Sequence, residues 1–379
     1  MQESAVCTEE EGTVGTERNT LEHNGCYGHH EKVYIRSLTS SIPTVPTLLL
    51  CLFNVWVPSW YHLNMSAFRS WSSTRFIYLA LLFSQLSWAV PVELEKRQEY
   101  GLTGDGFDAG TKKLGNAYNY WLEMPNGTWD LTRSQSAPVT SPKVLPMEGS
   151  SIMIEPNRTA LVIIDMQNFF LHPDLSPHAT AGRGAVQPTV NMINGFRKHG
   201  MKILWTNWGL TEYDLLTIPP SFKAGFSTNG SNLANETFGS DMGTIEQNGT
   251  TIEVGRKLMR GAWNAEPYGV LGTMKNEGIA AGTDLWFNKN RLSGLWGPQT
   301  PLGIWLQENE VSTLFFGGVN ADQCVWSTLV DAYFKGYDVI YVDDISQTTS
   351  PFYAIEMTRY NAQGYGFVGN STPILKALG

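Results

Sequence analysis

The chain has 379 residues, enough for one large or two modest domains with a real core, and 42% hydrophobic with 16% charged residues fits a globular protein. Its net charge of -9, with no basic stripe anywhere, argues against nucleic acid as a partner. Thirteen Trp and fifteen Tyr suggest aromatic-lined surfaces, although most such rings serve as core.

The first hundred residues read as address rather than fold. Residues 1–64 hold Cys7, Cys26 and Cys51 without periodicity, and are expected to be an upstream extension ahead of a true start at Met65. The apolar run Thr47–Val57 fits no part of that scheme. Residues 65–89 then combine a short basic stretch, the apolar run from Phe76, and a small-x-small site at Ser87-Trp-Ala89, which is the pattern of a signal peptide. A signal-anchor is the other reading of that run. Residues 90–97 end in Lys96-Arg97, a dibasic site of the kind that closes a pro-peptide. Secretion, with a mature start near Gln98 and no membrane association after signal removal, is the expectation. Asn126, Asn157, Asn229, Asn235, Asn248 and Asn370 each begin an N-x-Ser/Thr sequon, which fits glycosylated surface loops.

Residues 98–154 form an N-terminal extension. Tyr118–Met124 and Thr128–Thr132 alternate around Pro125-Asn-Gly127 and predict a hairpin, and Ser134–Ser151 reads as a Pro/Ser-rich linker. Strands and helices alternate from residue 155 to 379. Thr159–Ile164 is a continuous apolar run, as expected of a strand buried on both faces. A helix follows over Ala185–His199, then a strand over Lys202–Thr206. Residues 209–282 are rich in Gly, Asn and Thr and read mostly as loops around short helices. Strands are predicted at Asp284–Phe287, Thr313–Phe316, Asp338–Val342 and Gly366–Val368, and helices at Gly303–Asn309, Asp322–Lys335 and Pro351–Ala362. The result is an α/β fold: a doubly wound, mainly parallel sheet with helices on both faces.

Ligands of open parallel sheets bind beyond the carboxyl ends of the strands. Asp165, Lys289 and Cys324 each stand at such an end. Each has a plain alternative: Asp165 as a cap, Lys289 as a solvated charge, Cys324 as a small buried hydrophobe. Cys324 is the only cysteine after position 51, and a secreted chain normally pairs its cysteines. In the first turn of a helix, backbone N–H groups and the macrodipole favour its thiolate. All three on one sheet edge favour chemistry.

These residues resemble the isochorismatase-like cysteine hydrolases over roughly 155–375. Leu161-Val-Ile-Ile-Asp-Met-Gln-Asn-Phe169 resembles the family's opening strand and catalytic aspartate. Lys289-Asn-Arg-Leu-Ser-Gly-Leu295 resembles its lysine motif, and Gly318-Val-Asn-Ala-Asp-Gln-Cys-Val325 its nucleophile motif. The resemblance implies that Asp165 takes the thiol proton, Lys289 favours the thiolate, and Cys324 forms an acyl-thioester. It also implies a cis peptide at Val319–Asn320 and an oxyanion hole made by the N–H groups of Asn320 and Cys324. One such donor is worth about 3–4 kcal/mol in the transition state.

Nicotinamidases of this family carry an Asp-x-His metal motif where this chain has Thr206-Asn-Trp-Gly209, so no catalytic metal and no cofactor are expected. His172 is a weaker partner for the thiol, its roles being filled by Asp165 and Lys289. Phe170, Trp208, Trp263 and Arg291 are candidates for the pocket wall, though the aromatic ones serve as readily as core. The expected activity is hydrolysis of a C–N bond in a small amide or ureide, with a small molecule as the partner. A secreted isochorismatase and a silent binding protein on the same scaffold are the alternatives, and homo-oligomerisation stays open.

Overall fold

The computed structural model describes residues 109–227 and 236–379. Segments 1–64, 65–89 and 90–97 and the sequons at Asn229 and Asn235 lie outside the described residues. Among the described residues no helix is long and apolar enough to cross a membrane.

Five short strands come first: β1 (Lys112–Gly115), β2 (Tyr120–Glu123), β3 (Thr128–Asp130), β4 (Lys143–Met147) and β5 (Ser150–Ile154). They form a sheet in the order β1-β2-β3-β5-β4. The hairpin read from the sequence is β2–β3, with Gly127 at φ 79° and Asn126 Oδ1 accepting from Thr128 N at 3.0 Å. The linker read over Ser134–Ser151 is corrected, because its second half is β4 and the start of β5. Leu145 and Met147 alternate inward, and Pro146 is tolerated because β4 is an edge strand. A proline there hid the strand.

The main sheet has six strands in the order β10-β7-β6-β11-β12-β13, and every pairing in it is parallel. They are β6 (Thr159–Ile164), β7 (Lys202–Trp208), β10 (Asp284–Lys289), β11 (Thr313–Val319), β12 (Asp338–Gln347) and β13 (Phe367–Gly369). Strands β8 (Thr244–Gln247) and β9 (Thr250–Glu253) make a separate hairpin. The helices are α1 (Asn168–Leu171), α2 (Thr180–Gly184), α3 (Val186–Lys198), α4 (Glu212–Thr217) and α5 (Pro220–Gly225). They continue as α6 (Val270–Ala281), α7 (Pro301–Glu308), α8 (Trp326–Phe334), α9 (Phe352–Tyr365) and α10 (Ser371–Leu378). Helix α6 falls where loops were expected. Gly272 and Gly278 weaken its pattern, yet a Cβ at Gly278 would lie 2.2 Å from both Arg197 and Asp284. That glycine is a packing requirement rather than a loop signal.

Alternation along β6 explains the two-sided core. Leu161 and Ile163 join one apolar cluster, while Ala160, Val162 and Ile164 join the other. Burial of such side chains stabilises by about 1.5–3 kcal/mol each, and all six residues of β6 are buried. Leu131, Leu145, Ile152 and Ile154 of the first sheet enter the first cluster too. The N-terminal strands therefore cover the core of the α/β unit.

Candidate active site

The main sheet reverses its winding between β6 and β11, since the chain fills β7 and β10 on one side before crossing to the other. Such a switch point leaves a crevice above the strand ends. Asp165 follows β6 directly, in the left-handed region at φ 52°, where a non-glycine residue is uncommon and strained. Gly318 passes beside it at φ 132°, and a Cβ there would lie 1.9 Å from Ile164 O. The glycine pair after Phe316 lets β11 approach β6 this closely.

The three candidates from the sequence meet here. Lys289 Nζ lies 2.8 Å from Asp165 Oδ2 and donates to Cys324 Sγ at 3.4 Å. It also donates to Arg291 O at 3.1 Å. Lys289 stands on the edge strand β10, with β7 between it and β6, so its side chain crosses over Trp208, its register partner. The ammonium lies 4.0 Å from the centre of the Trp208 ring, a cation–π contact. Trp208 N donates to Asp165 Oδ1 at 3.0 Å and to Gln167 Oε1 at 3.2 Å. Gln167 Nε2 in turn donates to Trp208 O and Ala265 O. These bonds fix the aspartate and the indole against each other.

Asp165 is 0%, Cys324 3% and Lys289 4% exposed, so desolvation dominates the electrostatics. Burial pushes the Asp165 carboxyl above its usual range, with Lys289 pulling the other way. Burial likewise pushes the Cys324 thiol up to about 12, against the pull of Lys289 and with the Asp165 charge adding to the rise. Lys289 favours the thiolate as expected, but desolvation is the larger effect. Cys324 lies in a π-turn, Ala321–Val325, before α8 rather than in the first turn of an α-helix, and burial outweighs both the turn and the lysine. Burial and the Asp165 carboxylate both favour the protonated thiol.

The peptide Val319–Asn320 is cis, directly before the π-turn. Asn320 Oδ1 accepts from Thr349 N at 3.3 Å, and Thr328 Oγ1 donates to Cys324 O at 2.7 Å. Of the pocket-wall candidates, Trp208 lies on the triad. Arg291 reaches it through its carbonyl, while its guanidinium stacks 4.6 Å from the Trp296 ring centre. Trp263 packs edge-on against His172 at 5.1 Å, and the half-buried Phe170 against Phe169 at 4.9 Å at the edge of the core. His172 is buried, and its Nδ1 accepts from Asp174 N at 3.3 Å.

Asn207 carries a signal that sequence reasoning missed. It is fully buried, and neither amide atom has a hydrogen-bond partner. A buried polar atom without a partner costs about 1–3 kcal/mol, which makes the carboxamide an exception in this core. Position 209 cannot hold a side chain unless Asn288 moves, since a Cβ there would meet Asn288 Oδ1 at 1.9 Å. Among the described residues no group of three or more His, Cys, Asp or Glu side chains is placed to hold a metal ion.

Residues 159–365 match the isochorismatase domain model, which is more than half of the chain. The chain belongs to the isochorismatase family. The ureidoacrylate amidohydrolase of Klebsiella pneumoniae is 26% identical over 243 residues, covering 62% of this chain and 92% of that protein. Among solved structures, the Bacillus subtilis nicotinamidase aligns with a TM-score of 0.42 at 19% identity, covering 56% of this chain and 99% of its own. The N-carbamoylsarcosine amidase of Thermoplasma acidophilum aligns at 0.40 and 22%, covering 57% and 97%. A Pseudomonas syringae cysteine hydrolase aligns at 0.46 and 17%, covering 63% and 98%.

Proposed function

We propose that this hydrolase cleaves a C–N bond of a small amide or ureide through an acyl-thioester on Cys324. The observation that carries the reading is the buried lysine bridge: one ammonium touches both Asp165 and Cys324. In this mechanism Asp165 accepts the Sγ proton as sulfur attacks the carbonyl carbon. The oxyanion forms beside the N–H groups of Asn320 and Cys324. Asp165 then gives the proton to the leaving nitrogen as the C–N bond breaks. Water attacks the thioester, loses a proton to Asp165, and the C–S bond breaks with the proton returning to sulfur. The Lys289 ammonium lies beside the negative charge as it leaves the carboxylate for the oxyanion.

The ureide half of the proposal draws on the Klebsiella relative. The enzyme is also proposed to be exported and glycosylated, on the strength of the 65–89 pattern and the sequons; Asn126, Asn157 and Asn248 are exposed. Ammonia release across a panel of small amides and ureides, with isochorismate alongside, tests the activity. Turnover of an amide by the wild type and none by Cys324→Ala is expected. Turnover that survives in Cys324→Ala, or isochorismate as the only substrate, would overturn the thioester.

A further inference from the structure

We infer that Lys257, a buried lysine outside the triad, is a positioning residue that holds an aromatic wall against the catalytic lysine. Lys257 is 1% exposed, and its Nζ donates to two backbone carbonyls, Phe226 O at 3.0 Å and Glu236 O at 2.7 Å. Burial lowers its affinity for the proton, and the Glu236 charge opposes that. An ammonium in such a place is costly to desolvate unless its bonds offset the loss, so an apolar side chain would fill the space more readily. What a lysine adds is the joining of two chain positions ten residues apart.

One of those positions is Phe226 itself, and the other lies two residues before Phe238. The Phe226 ring stacks on Phe238 at 4.3 Å, and the two rings lie 5.1 and 5.0 Å from Trp208. Trp208 in turn reaches the triad: its ring holds Lys289 at 4.0 Å and its backbone N–H holds Asp165. From Lys257 to the thiol the path is therefore continuous: ammonium, two carbonyls, two phenyl rings, one indole, one ammonium, sulfur. Further bonds tie the same strip of chain down, with Lys257 N donating to Ser240 O and Gly239 N to Lys257 O. The lysine sets where the rings stand, and the rings set how much room a substrate finds over Cys324.

The role rests on the site proposed above, but its test does not need the substrate. Iodoacetamide is small enough to probe access to the buried thiol directly. Lys257→Met keeps the volume and removes both bonds; it is expected to alkylate at Cys324 at least tenfold faster than the wild type. On any amide that is turned over, KM should rise several-fold while kcat holds. Arg359→Ala, which breaks ion pairs to Glu148 and Asp343, serves as a control for general loosening. Alkylation of Lys257→Met no faster than that of wild type, or no faster than that of Arg359→Ala at equal thermal stability, would overturn the inference. Should Lys257→Met not fold, Lys257→Gln, which keeps one donor group, has to show the same acceleration in smaller degree, and its absence would count equally against it. If no amide is turned over by the wild type, the proposed function fails while the alkylation comparison still decides the role of Lys257.

Discussion

At the scale of single residues, the chemistry is set by burial competing with charge. The Cys324 thiol is raised to about 12, so its alkylation rate should climb with pH beyond 9 without the plateau an exposed cysteine reaches there. A plateau near pH 7 would mean a resting thiolate and a wrong reading of the site. Asp165 is raised by burial and must be ionised to take the proton. As pH falls the carboxylate is therefore lost earlier than an exposed aspartate would be, and the acid limb of kcat/KM should lie above the usual carboxylate range. Lys289→Met removes the charge that holds Asp165 ionised. The acid limb should move to higher pH and kcat/KM should fall by roughly two orders of magnitude or more, the scale on which a positioned charge acts. An unchanged limb would separate Lys289 from Asp165.

At the scale of elements, the strands that carry the site were legible because burial on both faces leaves an unmistakable apolar run, as in Thr159–Ile164. Asp165 and Cys324 were legible for the same reason, being the first chemistry after such runs. Lys289 could be placed at a strand end but not over Trp208, since the crossing depends on β10 pairing with β7. Helix α6 and strand β4 were hidden by glycine and proline that answer to tertiary contacts. No local pattern announces Arg133 either. It sits at φ 52° and makes two bonds of 2.7 and 2.6 Å to the buried Asp338, which also accepts from Trp121 Nε1 and Thr313 Oγ1. Removing one member of a buried pair costs about 3–5 kcal/mol. Arg133→Met should accordingly lower Tm by roughly 6–15 °C for a domain of this size. Adding Asp338→Asn should recover part of the loss, and a double variant no better than the single one would deny the coupling.

At the scale of the whole molecule, the N-terminal sheet and the α/β unit share one core, and this decides what a minimal enzyme contains. Leu131, Leu145, Ile152 and Ile154 are at most 1% exposed and pack with Phe196, Phe315 and Ile340 of the parallel sheet and its helices. At about 1.5–3 kcal/mol for each buried side chain, losing these four would withdraw roughly 6–12 kcal/mol, as much as the whole stability of an ordinary domain. The loss would also strip Asp338 of Arg133 and Trp121, leaving a buried carboxylate with Thr313 as its remaining side-chain partner among those bonds. Matching a family model from residue 159 onward therefore does not make that stretch a folding unit. A chain begun at Gln98 should fold, with the Tm and activity of the full chain, whereas one begun at Glu155 should be insoluble or bind a hydrophobic dye as an expanded state. Far-ultraviolet and near-ultraviolet circular dichroism of the two would distinguish them. A stable, active protein beginning at Glu155 would show that the five strands are an ornament, and that the two-sided core closes without them.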